Sequence, residues 1–162
     1  MVITGFATGL APIVGYSFGA GNSDYIKRVM KIALISAFIA GLVCWIIVLF
    51  SSAKIAELFS PENETVMALA SSGFGIFAAA FLLNGFNILV TAYFTSIGNA
   101  KISAIIASMR GLLLINIFIL ILPRLVGDAG IWASYPLAEL VTFLFAARFL
   151  RKSVRAFPPT SP

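Results

Sequence analysis

The chain has 162 residues and a net charge of +5, and 60% of its residues are hydrophobic whereas only 10% are charged. This composition, with a mean hydropathy of +1.05, excludes a globular domain built on one core and indicates a polytopic membrane protein. The cations lie between apolar stretches, not in one patch, so we expect no nucleic-acid partner. With Cys44 as the single cysteine and no histidine, an internal disulfide and a Cys/His metal site are excluded, and no metal or other cofactor is expected.

The apolar stretches predict five transmembrane helices in an all-α bundle, because a bilayer core is crossed by about 20 helical residues whose backbone groups bond one another. The predicted spans are residues 1–18, 32–52, 65–98, 102–122 and 131–147, within one domain of residues 1–155. The proline-rich tail of residues 156–162 is expected to be disordered. Residues 65–100 contain no charged side chain, so this run predicts one long tilted helix. A break between Asn84 and Gly85 is the alternative.

The first span is unusually rich in glycine for a helix, a composition that is common where membrane helices pack closely or bend. The residues expected to serve packing or bending here are Gly5, Gly9, Pro12 and Gly15. Tyr16 shares a helical face with three of them and is a candidate for the substrate or cation pathway.

One side of the long third span is polar. Eight residues fall within an arc of less than about 90° at helical spacing; they are Gly73, Phe77, Ala80, Asn84, Asn87, Thr91, Thr95 and Gly98. We expect Asn84 and Asn87 to point away from lipid. The stripe has two interpretations: contact between packed helices, where small and amide side chains are common, or one wall of a polar substrate cavity.

Arg110 and Glu139 are the ionisable residues deep within predicted spans, where an unpaired charge is costly. Arg110 follows Lys101 by nine residues and Glu139 precedes Arg148 by nine, so both lie about 13 Å from their flanking cations. Each charge is expected to find the other or water, and equal depth permits a pair. Three interpretations stay open: a static ion pair, a functional site with Glu139 binding a cation or proton or Arg110 anchoring substrate, and an Arg110 side chain that extends to the membrane surface. Pro136 is expected to bend the last span beside Glu139.

The distribution of lysine and arginine predicts the orientation, because cytoplasmic loops are enriched in both. One side of the membrane receives Lys27, Arg28, Lys31, Lys101, Arg148, Arg151, Lys152 and Arg155. The other side receives Lys54 and Arg124. The basic side is cytoplasmic by this rule, so we expect a multi-pass protein of the cell (inner) membrane with a cytoplasmic C-terminus.

Two groups of motifs resemble the multidrug and toxic compound extrusion (MATE) transporters. The sequence PIVGYSFGA of residues 12–20, followed by Gly-Asn, resembles the end of that family's eighth helix. The sequence SIGNAK of residues 96–101 and later residues resemble its eleventh and twelfth helices; those residues are Arg110, Pro123, Gly127, GIW of residues 130–132 and PLAE of residues 136–139.

The resemblance implies a partial C-lobe of a two-lobed transporter, from the last part of the eighth helix to the twelfth. Such transporters export amphipathic, often cationic small molecules in exchange for protons or sodium, by alternating access. The lipid bilayer, the N-lobe and the remaining C-lobe helices are then the expected partners, and the chain is expected to be inactive alone. Some members have an acidic residue in the tenth helix, where this chain has Asn84 and Asn87. Glu139 is therefore proposed from its depth, not from a family motif.

The sequence is also compatible with two other functions. A lipid-linked oligosaccharide flippase of the same superfamily would be expected to have several cations in its cavity, whereas Arg110 is a single one. A non-transport membrane scaffold is the second alternative. An enzyme is not expected, because the chain has no histidine and no cluster of carboxylates or Ser/His/Asp set.

Overall fold

The computed structural model describes residues 2–59 and 64–156, and in these two ranges the chain is almost entirely helical. The predicted all-α fold is confirmed. The helices are α1 (Val2–Gly19), α2 (Ser23–Phe59), α3 (Glu64–Ala78), α4 (Phe81–Ser96), α5 (Ala100–Ser108), a π-helical segment (Met109–Leu113), α6 (Leu114–Val126) and α7 (Asp128–Arg155). The predicted disordered tail lies outside the described residues except for Ala156.

Three helical stretches of the described chain are long and apolar enough to cross a membrane: Ser23–Ser52, Ala100–Val126 and Asp128–Arg155. The second of these is α5, the π-helical segment and α6 joined end to end. A fourth is obtained if the bent pair Leu69–Ala78 and Phe81–Ser96 is one span. The number of spans in the membrane therefore stays a prediction.

The prediction of one continuous helix over residues 65–98 is wrong, because α3 and α4 meet at an angle of 41°. At the break the backbone tightens: the Ala79 N–H donates to the Ile76 carbonyl (3.2 Å) and the Ala80 N–H to the Phe77 carbonyl (3.1 Å). Such three-residue spacing departs from the α-helical ladder and is a common site of bending. The observed break lies about one turn before the alternative that we placed between Asn84 and Gly85.

A close contact with α2 accompanies the bend. At Gly41 of α2, an added Cβ would overlap the carbonyl of Phe81, the first residue of α4. The two backbones are therefore in direct contact at the break. A side chain at residue 41 would separate them, so glycine permits the close approach that accompanies the bend.

A one-residue connection joins α6 to α7. Gly127 adopts a positive φ of 67°, a conformation that glycine tolerates and other residues rarely adopt. Its N–H donates to the Pro123 carbonyl at 3.0 Å. The turn reverses the chain so that α7 packs on α6 and, through Trp132 and Phe74, on α3. This arrangement brings Glu139 of α7 to the same region as α4.

The core is centred on α4, which packs against α1, α2, α5 and α7. Its residues Leu89, Val90, Tyr93 and Phe94 are buried. Residues of α1, α2, α5 and α7 complete the core, among them Val14, Ile26, Ile106 and Ala146. Because α4 is surrounded on these sides, its two asparagines have protein neighbours instead of lipid.

One polar contact ties the far end of α4 to α7, and its removal gives a first testable prediction. The hydroxyls of Tyr93 and Ser153 are 2.8 Å apart. We expect Tyr93→Phe to lower the free energy of unfolding by about 1 kcal/mol, the usual net value of one neutral hydrogen bond. Ser153 is only half-buried and can bond water instead. Detergent-based unfolding of the purified protein measures the change, and a loss above about 3 kcal/mol, the size expected when an aromatic ring is removed, would contradict it.

Candidate cation and substrate site

The centre of the candidate site is the carboxylate of Glu139, which is 0% exposed. Two amide side chains donate hydrogen bonds to it: Asn84 Nδ2 to Oε1 at 3.1 Å and Asn87 Nδ2 to Oε2 at 2.7 Å. Asn87 Nδ2 also lies 2.9 Å from the Glu139 backbone carbonyl. Each carboxylate oxygen therefore has an amide donor from α4, which stabilises a buried negative charge.

The two asparagines lie on one face of α4 because they are three residues apart. One turn further along the same face, Thr91 donates from Oγ1 to the Asn87 carbonyl at 2.7 Å. The predicted polar stripe thus faces α7 in its central part. The bend at Ala79 and Ala80 comes one turn before Asn84 and directs this face of α4 toward Glu139.

Tyr135 adds a hydroxyl to the cluster. It lies one turn before Glu139 on α7, and its OH accepts a hydrogen bond from Asn84 Nδ2 at 2.8 Å. Its ring stacks on Phe77 of α3, with centroids 4.9 Å apart and ring planes 16° apart. The ring pair forms an aromatic wall beside the polar cluster.

Arg110 completes the site. The pair with Glu139 that the sequence permits is present, because Arg110 Nε lies 3.6 Å from Glu139 Oε1. This distance is an ion pair but exceeds that of a hydrogen bond. The arginine lies in the π-helical segment, a local widening of the helix that often occurs at functional positions. Its side chain is 28% exposed, while the Nη1 atom is buried without a hydrogen-bond partner among the described residues.

Two cavities open beside the cluster. Arg110 and Thr91 line one of about 220 Å³, and Asn84 lines another of about 300 Å³ that reaches Cys44 on α2. Thr4 and Ile88 line both cavities, so the two lie side by side against α1. The fully buried carboxylate is thus one residue away from space that water or a ligand can occupy.

The remaining candidates lie elsewhere. Tyr16 is 82% exposed on α1 and lines a separate cavity with Pro12, Ser17 and Asn22. The structure brings Glu139, Arg110, Asn84 and Asn87 together but leaves Tyr16 outside this site. Its assignment to the pathway stays a prediction.

The residues predicted to serve helix packing also stay predictions. Added Cβ atoms at Gly5 and Gly9 would meet no heavy atom of the described chain within 4 Å, whereas one at Gly15 would lie 3.4 Å from the Ser96 carbonyl oxygen. Pro136 lies inside α7, between Tyr135 and the buried turn that carries Glu139.

Two members of the cluster, Tyr135 and Thr91, were not singled out as site residues from the sequence. The signals were present, because Thr91 belongs to the polar stripe and Tyr135 precedes Glu139 by one helical turn. A spacing of four residues places two side chains on one face. The spacing does not show that Asn84 and Asn87 of α4 lie beside Tyr135 and Glu139.

The chain is similar to known exporters over most of its length. The family model described as MatE matches residues 1–122. The multidrug export protein MepA of Staphylococcus haemolyticus is 29% identical over 155 residues, which are 96% of this chain and 33% of that protein. MepA of Staphylococcus aureus strain N315 is 27% identical over 146 residues, covering 90% of this chain and 32% of its own length. The chain therefore spans about a third of the length of these curated relatives.

Solved structures show the same fold. An outward-facing conformation of a multidrug resistance MATE family transporter matches with a TM-score of 0.88 and 22% identity, over 96% of this chain and 35% of that one. An inward-facing conformation matches with a TM-score of 0.89 and 21% identity, over 99% and 37%. The Vibrio cholerae MATE transporter VcmN in its bent form matches with a TM-score of 0.83 and 17% identity, over 93% and 34%. Since the matched residues 1–122 include all of α1 to α5 and most of α6, the chain belongs to the MatE family.

Proposed function

We propose that the chain forms part of the C-lobe of a cation-coupled multidrug antiporter that works by alternating access. The observation that carries the proposal is the Glu139 carboxylate, which is buried between α4 and α7 and whose partners Arg110 and Asn84 line two cavities. A buried ionisable group within a membrane bundle is costly and is typical of ion and proton pathways. Glu139 is the residue that we assign to the coupling cation, either a proton or sodium.

The contacts of Glu139 favour a site that exchanges cations over a permanent salt bridge with Arg110. The arginine contact at 3.6 Å is longer than a hydrogen bond, and Arg110 Nη1 has no described partner. In a bidentate pair, two guanidinium nitrogens would each lie about 2.7–2.9 Å from a carboxylate oxygen. Arg110 therefore retains the capacity to bind an acceptor group in the 220 Å³ cavity that it lines. A cation that binds Glu139 would weaken the attraction of the carboxylate for Arg110.

The likeness to structures in two states supports alternating access. The TM-scores against the outward-facing and inward-facing transporters are nearly equal, 0.88 and 0.89. Such equality is expected if these helices move as one body while a second body rocks against them. The rest of the transporter would supply that second body, and the lipid bilayer would surround both.

The substrates that we propose are amphipathic, often cationic small molecules. The relatives of known name are multidrug export proteins, and the stacked Phe77 and Tyr135 rings provide an aromatic surface of the kind that attracts organic cations. By the lysine and arginine distribution, the protein lies in the inner membrane with its C-terminus in the cytoplasm. The flippase alternative is less well supported, because Arg110 is the one cation lining the two cavities beside the site in the described chain.

Ethidium efflux with imposed ion gradients tests the proposal. The protein should be expressed from its complete gene, including any coding sequence upstream of this chain, and reconstituted into liposomes. We expect an inward gradient of either protons or sodium to drive ethidium out against its concentration gradient. Liposomes without protein and liposomes with neither gradient are the controls. Efflux that neither gradient stimulates would contradict coupling, and translocation of a lipid-linked oligosaccharide in its place would support the flippase.

A further inference from the structure

The cytoplasmic end of α7 carries a basic cavity that the transport mechanism does not use. It has a volume of about 550 Å³. Its walls are formed by four cations and by apolar side chains one to two turns earlier on the same helix: Arg148, Arg151, Lys152 and Arg155, with Phe143 and Leu144. The cluster is separate from the Glu139 site, so its role does not rest on the coupling that we propose there, but it does rest on the proposed orientation of α7 in the membrane.

The spacing of the four cations places them on one side of the helix, at relative positions 0, 3, 4 and 7. The opposite side of the same turns is packed inward: Phe149 and Leu150 contact the core, and Ser153 bonds Tyr93. The packed side holds the end of α7 in place. The basic side is thereby presented outward as a fixed surface.

The two ion pairs found in the described part of the chain join Lys27 to Asp24 and Arg110 to Glu139. Neither pair involves one of the four cations of α7. Four neighbouring like charges repel one another, and a bound anion relieves that repulsion. The surface therefore favours an anionic ligand.

The position along the helix identifies the kind of anion. Residues 128–147 of α7 measure about 30 Å at 1.5 Å per residue, which equals the thickness of the hydrocarbon core of a bilayer. The four cations follow directly, over about another 12 Å, at the depth of lipid headgroups. Phe143 and Leu144 lie on the hydrocarbon side of them, where an acyl chain passes.

We infer that this cavity binds the headgroup of an anionic phospholipid, with its phosphate on the arginines and its acyl chains along Phe143 and Leu144. Guanidinium groups bind phosphate oxygens in a bidentate manner, and basic pockets on the cytoplasmic side of membrane helices suit such headgroups. Four cations exceed the charge of one phosphate, so a lipid with two phosphates, such as cardiolipin, is the preferred ligand.

Lipid titration with native mass spectrometry tests this inference. The protein from the complete gene is delipidated in detergent and titrated with cardiolipin, with phosphatidylcholine and with inorganic phosphate. We expect cardiolipin to bind and the other two not to bind at the same concentration. Arg151→Gln/Arg155→Gln should weaken cardiolipin binding about 30-fold, since each cation near an anionic lipid surface contributes about a fivefold factor.

The matched control is Arg28→Gln/Lys31→Gln, which also removes two exposed cations, here from the start of α2. We expect this pair to leave cardiolipin affinity unchanged within about threefold. Equal weakening by both pairs would show that overall charge, not this cavity, attracts the lipid, and would overturn the inference. Binding of inorganic phosphate with similar affinity would also overturn it, because the ligand would then be a free anion.

Discussion

Replacing Glu139 with glutamine is expected to lower gradient-driven efflux strongly while leaving the protein folded. The amide has nearly the same size as the carboxylate but cannot take up a proton at neutral pH or bind sodium as an anion does. Coupling energies between two ligands are typically worth a factor of about 5 to 150, so we expect the stimulation of efflux by the ion gradient to fall by a factor in this range. Initial rates of ethidium efflux from liposomes measure it.

Folding of this variant is expected to survive because the surrounding amides can adapt. Asn87 Oδ1 is buried and has no described hydrogen-bond partner. Rotation of the Asn87 amide would present this oxygen to the new N–H groups of glutamine at residue 139. Gel filtration of the purified variant should show a single monodisperse species.

The matched control for this substitution is Glu57→Gln, which makes the same chemical change at an exposed residue of α2. It should transport as the unsubstituted protein does. If Glu139→Gln also retains gradient-driven efflux, Glu139 has a purely structural role as the partner of Asn87 and Arg110. The coupling residue would then lie elsewhere in the transporter.

Gly41→Ala is expected to have the largest effect on stability. An added Cβ would overlap the Phe81 carbonyl oxygen and would lie 3.0 Å from the carbonyl carbon and 3.5 Å from Leu82 Cα. These are backbone atoms that cannot rotate aside, so α2 and α4 must separate at the bend. Overpacking of this kind costs about 1–3 kcal/mol, even though alanine is the better helix former. Unfolding of the purified protein by increasing sodium dodecyl sulfate measures the loss.

Gly75→Ala is the matched control, because an added Cβ there would lie 3.5 Å from Leu49 Cδ2, an ordinary contact with a flexible side chain. We expect this variant to be as stable as the unsubstituted protein, or more stable by up to about 1 kcal/mol. Equal stability of Gly41→Ala and Gly75→Ala would show that the contact between α2 and Phe81 does not hold the bend. Because α4 carries Asn84 and Asn87, Gly41→Ala should also lower efflux.

Much of the candidate site was predictable from simple counting along the chain. A pair between Arg110 and Glu139 is permitted by the sequence, because each lies nine residues from a flanking cation. The structure contains this pair, with Arg110 Nε 3.6 Å from Glu139 Oε1. Counting works here because the membrane sets a common depth scale for all helices that cross it. The helical period likewise placed Asn84 and Asn87 on one face away from lipid.

Other features were beyond such counting. Residues 79 and 80, where the chain bends, are neither proline nor glycine, so they do not predict a bend. The glycine in contact with the break is Gly41, about 40 residues away on α2. Tyr16 is 82% exposed and lies apart from the Glu139 site, so its place in the pathway stays a prediction. A helical face shows which residues share a direction, but not which neighbour lies there.

The amino-acid sequence by itself determined that this protein is an all-helical bundle of apolar helices, two of which carry an ionisable residue nine positions from a flanking cation. Hydropathy and the cost of burying a charge can be read for each helix separately. Only the tertiary structure decided that both amides of α4 donate to one carboxylate of α7, and that Arg110 makes a longer contact. Those distances depend on how three helices cross, and that crossing is set by contacts between residues far apart in the chain, such as Gly41 with Phe81.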